Sequence, residues 1–188
     1  MSTTATIQKT ALPTRWFVDS DEASVEFAVS SFWGLMTVRG RFDRFSGSYE
    51  AGADGMSIEL TIDAASLDTG NPTRDKHLRS ADFFHTAEHP QVRFRSTQIR
   101  GDGEGILHVE GGLEAAGTVV PLEFDATVMP VGDGLEIEAT TGVDQRRFGM
   151  HSGPLGMIRR PATVHVRARL RHAGSEDARS ARGAATAA

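Results

Sequence analysis

The sequence predicts an all-β fold of about eight antiparallel strands with one helical interruption, arranged as a sandwich or a barrel. Three observations predict it. Apolar and polar residues alternate with a period of two over most of the region from Arg15 to Arg171, as in strands with one buried face. Glycine and aspartate clusters punctuate the alternation at Asp54-Gly55, Gly101-Asp102-Gly103 and Gly132-Asp133-Gly134, which are hairpin-type turn signals. One long stretch, Ser66 to Pro90, breaks the pattern and carries three of the seven histidines, Phe83-Phe84 and a dense mixture of charges.

Taken in order, a first strand covers Arg15 to Asp19, and Ser20-Asp21 reads as a turn. Val25, Phe27 and Val29 then alternate with polar or small residues as a half-buried strand. Leu35 to Tyr49 reads as a long strand bent or bulged at Gly40 and Gly47. Ile58, Leu60 and Ile62 share one face of the next strand. Asn71-Pro72 opens a helix, because proline is tolerated in the first turn. Leu78 and Ala81 or Asp82 follow at helical spacing, with Phe83 and Phe84 as an apolar plug. Beyond the helix, Val92 and Phe94 share a face, as do Leu107, Val109 and Leu113, then Val120 to Val128 on even positions, then Leu135, Ile137 and Ala139. An irregular segment, Gly142 to Pro161, leads to a last strand with Val164, Val166, Ala168 and Leu170 facing in. Eight strands can close into a barrel that holds one slender ligand, and closure removes exposed edges.

The 188 residues suit one domain with its own core. Residues 1–13 read as a flexible lead-in, residues 14–172 as the folded domain, and residues 173–188, which lack large apolar side chains, as a disordered tail. The absence of cysteine excludes a disulfide framework, thiolate metal sites and a cysteine nucleophile. A net charge of −5 does not suit nucleic-acid binding. Met1 to Pro13 has no apolar run of the kind a secretory signal needs, and no segment has the ~20 apolar residues of a membrane helix. A soluble, cytoplasmic protein is the expectation. The acidic Glu123, Asp125, Glu136 and Glu138 and the basic Arg167, Arg169 and Arg171 read as outer faces that pair across strands, each exposed pair contributing only about 0–1 kcal/mol.

Two motifs invite chemistry. His85-Thr86-Ala87-Glu88-His89 matches the inverted zinc-protease pattern H-x-x-E-H, which needs both histidines on one face of a continuing helix. Pro90 follows directly and pushes His89 away from helical geometry, so His89 is expected past the helix end and no metal site is expected. Gly101-x-Gly103-x-Gly105 does not open a helix and so is no phosphate loop, and no serine sits in G-x-S-x-G. No cofactor is implied.

Three blocks carry a family resemblance: Thr61 to Asn71, Arg74 to Phe84, and His89-Pro90-Gln91-Val92-Arg93-Phe94-Arg95-Ser96-Thr97. Trp16-x-Val18-Asp19, Val38-Arg39-Gly40-x-Phe42, Gly112-Leu113 with Gly117 and Pro121, and Phe148-Gly149 agree in order. Together they resemble the YceI-like family over about residues 15–172. The resemblance implies an eight-stranded antiparallel lipocalin-like barrel with a short helical insertion between strands, and an elongated apolar pore associated with polyisoprenoids or other long-chain amphiphiles. It implies no common enzymatic activity, and it leaves room for a homodimer. The chain departs from the family pattern at Ser31-Phe32-Trp33-Gly34, at Arg147 and at Leu113-Glu114-Ala115-Ala116-Gly117.

Residue pattern and resemblance together nominate a pore lining of Val25, Phe27, Val29, Ile58, Leu60, Ile62, Phe94, Phe124 and Val164, with Trp33, Phe83 and Phe84 gating its mouth. Arg74, His77 and Arg79 are the candidates to meet an anionic head group, and helix packing is their competing role. The expected partner is a long-chain isoprenoid or similar lipid, held without chemistry, with no nucleic acid and no stable membrane insertion. An enzyme using the same cavity on an apolar substrate, and a ligand-free structural or stress-response domain, are the alternatives.

Overall fold

The structure, a computed structural model, describes residues 14–31, 36–53, 55–150 and 161–172. Ten strands form: β1 (Thr14–Ser31), β2 (Met36–Phe42), β3 (Phe45–Gly52), β4 (Gly55–Asp63), β5 (Leu67–Asp68), β6 (Gln91–Gly101), β7 (Ile106–Ala115), β8 (Thr118–Val131), β9 (Gly134–Val143) and β10 (Ala162–His172). All pair antiparallel, and β10 pairs back onto β1. Eight of them, in the order β1-β10-β9-β8-β7-β6-β4-β3-β1, close a barrel, while β2 and the two-residue β5 continue beside β1. Helix α1 (Pro72–Leu78) lies between β5 and β6.

The expected turn at Ser20-Asp21 is a bulge within one 18-residue strand. Val18 pairs with Leu170 and Ala23 with Ala168, so Asp19 to Glu22 stand opposite the single Arg169. The strand keeps its direction because β10 runs unbroken beside it. Arg169 and Arg171 reach Glu22, each at 2.9 Å, and Arg171 also pairs with Asp19. Those two arginines therefore serve the bulge rather than the acidic strands. Of the basic face, Arg167 pairs with Glu136 at 3.0 Å, as expected.

The long strand after Gly34 breaks at Asp43-Arg44 instead of at Gly40 or Gly47. Ser66 holds the break: its hydroxyl accepts the Arg44 N–H (3.1 Å) and its carbonyl accepts the Asp43 N–H (3.3 Å). The two glycines instead provide space. A Cβ at Gly40 would lie 2.4 Å from Cζ of Phe27, and one at Gly47 would lie 2.9 Å from the Glu59 carbonyl.

Asn71 caps α1, its side-chain oxygen accepting the Thr73 and Arg74 N–H groups at 3.1 Å each, with Pro72 in the first turn as the sequence predicts. The barrel interior holds two apolar clusters. One, with Phe42, Leu67, Phe83, Phe148 and Met150, gathers beside the helical insertion. The other, with Tyr49, Leu107, Val109 and Leu170, fills the region where β3, β7 and β10 face one another.

Candidate ligand-binding cavity

The inward faces do not fill the barrel completely. They leave a cavity of about 240 Å³, many times the ~10–15 Å³ one water needs on the same measure. Val25, Phe27 and Val29 of β1, Ile58, Leu60 and Ile62 of β4, Phe94 of β6, Phe124 of β8 and Val164 of β10 all line it, and so do Phe83 and Phe84. Trp33 lies outside the described residues.

Two devices keep the lumen open. Small residues, Ala126, Ala139, Ala162 and Ala168, occupy inward positions on β8, β9 and β10. Glycines sit behind two of the lining rings. Gly40 lies beneath Phe27, and a Cβ at Gly111 would come within 2.6 Å of Cζ of Phe94, so each ring rests against the wall instead of crossing the lumen. Phe94 then packs on Phe124 with ring centroids 5.3 Å apart. Beside the insertion, Phe27 meets Phe42 (5.5 Å) and Phe42 meets Phe84 edge-to-face (5.9 Å), forming an aromatic wall.

The lining is almost wholly apolar. Glu59 is among the lining residues, but its exposed carboxylate pairs with Arg95 at 2.9 Å on the outer face. Tyr49 brings a phenol to the lining, and burial pushes its pKa above the ordinary value. Ser48, Thr141 and Gln145 complete the polar residues around the cavity.

Sequence reasoning missed Phe42, Phe45, Leu78, Phe148 and Met150, all of which line the cavity. Phe42 and Phe45 both point inward although three residues apart, because the Asp43-Arg44 break resets the alternation between them. Phe148 and Met150 come from the segment around the 3₁₀ turn Gln145–Phe148, where a period of two has no meaning. The Phe148-Gly149 pair was the available signal: Gly149 adopts φ 75° and caps that turn.

Arg74, His77 and Arg79 do not line the cavity. Arg74 donates to the Thr69 hydroxyl and carbonyl, both at 2.8 Å. Arg79 donates to the carbonyls of Ala65 (2.9 Å) and Leu67 (2.5 Å). Asp75, 6% exposed, accepts from the Thr69 N–H (3.1 Å) and hydroxyl (2.5 Å). These bonds fasten α1 to the β5 segment, so both guanidinium groups serve the backbone. His77 packs edge-on against Phe83, with centroids 5.0 Å apart.

His89 lies past the end of α1, which stops at Leu78, as expected. His89 is not carried away from His85: its N–H bonds the His85 carbonyl at 2.9 Å, closing one turn over residues 85–89. Pro90 restricts His89 itself and leaves this turn free to form, and His85 at its start has a left-handed φ of 47°. The side chains of His85, Glu88 and His89 therefore converge.

A closed antiparallel barrel with an apolar lumen and one short helical insertion defines a lipocalin-like barrel. The chain belongs to the YceI-like family, whose model matches residues 16–170. A UPF0312 protein of Shewanella baltica is 36% identical over 155 residues, covering 77% of each chain. Another, of Pectobacterium carotovorum, is 34% identical over 118 residues, with 61% of this chain spanning 60% of that relative. Among solved structures, Burkholderia cenocepacia BcnA is similar with a TM-score of 0.73 at 21% identity, covering 81% of this chain and 98% of that one. A polyisoprenoid-binding domain from Saccharophagus degradans, implicated in plant cell wall breakdown, has a TM-score of 0.68 at 16% identity and covers 84% and 98%. At these identities the structural likenesses establish the shared fold.

Proposed function

We propose that this protein binds a long-chain amphiphile, such as a polyisoprenoid, inside the barrel, and stores or carries it without changing it. The observation that carries this reading is the cavity itself: a lumen whose wall is almost entirely aliphatic and aromatic. Each methylene moved from water into such a wall contributes about 0.8 kcal/mol before the cost of ordering the chain. Contacts of this kind discriminate weakly between tails, so tolerance of several chain types follows. Family membership and the polyisoprenoid-binding neighbour support a binding role over an enzymatic one. The arrangement of polar groups agrees: the Glu59 carboxylate turns outward to Arg95, which leaves the lining no acid–base pair built around it.

Organic extraction of the purified protein, read by mass spectrometry, tests the proposal, together with titration of delipidated protein by a fluorescent polyisoprenoid analogue. A stoichiometric long-chain compound or saturable one-to-one binding is the expected result. The absence of both a bound compound and saturable binding overturns it and favours a ligand-free structural domain. Turnover of the bound chain would replace it with the enzymatic reading.

A further inference from the structure

We propose that His85, Glu88 and His89 form a divalent-metal site of the zinc class on the connection between the Phe83-Phe84 plug and β6. The donor atoms of the three side chains lie within 4.8 Å of one another, and among the described residues no other trio of histidine and carboxylate donors comes so close. The backbone creates this convergence. The N–H groups of Glu88 and His89 both return to the His85 carbonyl, at 3.0 and 2.9 Å. Residues i, i+3 and i+4 of one tight turn thus project together, as they would from one face of a helix.

The two imidazoles are held while the carboxylate is free to close. Their rings meet nearly edge-to-face with centroids 5.7 Å apart. The His89 ring lies against the β7–β8 turn, where a Cβ at Gly117 would come within 2.6 Å of its Cε1. The His85 side chain is 31% exposed and that of Glu88 is 69% exposed, with 3.6 Å between His85 Nε2 and Glu88 Oε1. Zinc–nitrogen and zinc–oxygen bonds of about 2.0–2.2 Å place tetrahedral ligands roughly 3.4 Å apart; the His85–Glu88 pair is already near that spacing, and side-chain rotations of the partly exposed His85 and exposed Glu88 toward His89 complete the set. Two imidazoles and one carboxylate suit Zn²⁺ over the harder Mg²⁺ or Ca²⁺. Water takes the remaining position. A bound ion would tie together the two ends of the turn that follows the plug.

The test is titration of the full chain, freed of metal with a chelator, with Zn²⁺ alone against a chromophoric zinc chelator, alongside thermal unfolding with and without the ion. One equivalent of Zn²⁺ and a higher melting temperature are expected in the wild type. His85→Asn suits the left-handed backbone, since asparagine tolerates positive φ. Losing an outer-shell partner already costs a metal site 10–100-fold, so loss of a ligand by His85→Asn or His89→Ala should weaken binding by about 100-fold. Glu88→Gln, on an exposed side chain, tests the site should either histidine variant unfold, and His108→Ala should leave affinity unchanged. Absence of saturable Zn²⁺ binding, or affinity unaltered in the folded variants, overturns the proposal. Neither outcome bears on the lipid extraction, so failure of the metal site and failure of the apolar cavity are distinguished.

Discussion

Phe27 packs against Gly40 of the neighbouring strand, where a Cβ would sit 2.4 Å from its Cζ. The pairing joins two requirements of the barrel: an aromatic wall and an open lumen. Gly40→Ala should turn the Phe27 ring toward the lumen. The expected cost is about 1–3 kcal/mol of stability, with a larger fractional loss of binding for a polyisoprenoid analogue. Phe27→Leu in the same chain should restore part of both, and denaturant titration with fluorescence binding measures the coupling. Independent effects of the two substitutions would show that the contact is not what keeps the lumen clear.

Ala139 offers a cleaner separation of binding from folding. It faces the cavity from β9, paired with Ala126 and Val166. A phenylalanine there can extend into existing space, so Ala139→Phe should change stability by less than about 1.5 kcal/mol while abolishing uptake of the analogue. Retained binding would place the ligand elsewhere.

Arg79 tests whether the helical insertion senses a head group. Its guanidinium donates to Ala65 and Leu67 carbonyls, and charged hydrogen bonds of this kind contribute about 1.5–3 kcal/mol each at most. Arg79→Ala should lower the melting temperature markedly. Arg79→Lys should not rescue it, because an ammonium cannot span both carbonyls. A head-group role predicts the reverse pattern, with unchanged stability and reduced affinity for anionic analogues over neutral ones.

Tyr49 is the single tyrosine of the chain, so phenolate absorbance reports it alone. Burial raises its pKa, which means the folded state disfavours the phenolate. Below the ordinary phenol value of about 10 both states are neutral, and stability is unaffected by this group. As pH rises from there through the raised folded value, the unfolded state ionises first and stability falls. The absorbance step should move to lower pH on unfolding, and Tyr49→Phe should remove this part of the alkaline loss. A native titration midpoint at or below the unfolded one would contradict the burial described for Tyr49.

Much of the barrel was legible because alternation is a local property of strands. Val25, Phe27 and Val29, or Ile58, Leu60 and Ile62, announce their inward face by spacing alone, and all six line the cavity. Legibility failed where alternation is interrupted. Phe42 and Phe45 straddle a two-residue break, Phe148 ends a 3₁₀ turn and Met150 follows it. Arg74 and Arg79 were harder to read for a different reason. Charge suggests a ligand, but Arg74 and Arg79 satisfy carbonyls of the segment around Thr69 and Leu67, and one-dimensional sequence does not show which carbonyls lack partners.

Residue patterns alone specify antiparallel strands, in a sandwich or a barrel, with a helical interruption opened by Asn71-Pro72, because strand period, turn chemistry and helix capping act over a few residues. Tertiary structure decided the rest. It made Ser20-Asp21 a bulge, since β10 continues unbroken on the far side of it. It turned Gly40 and Gly111 into seats for Phe27 and Phe94. Each of these depends on atoms distant in the chain, which no pattern of residue types encodes.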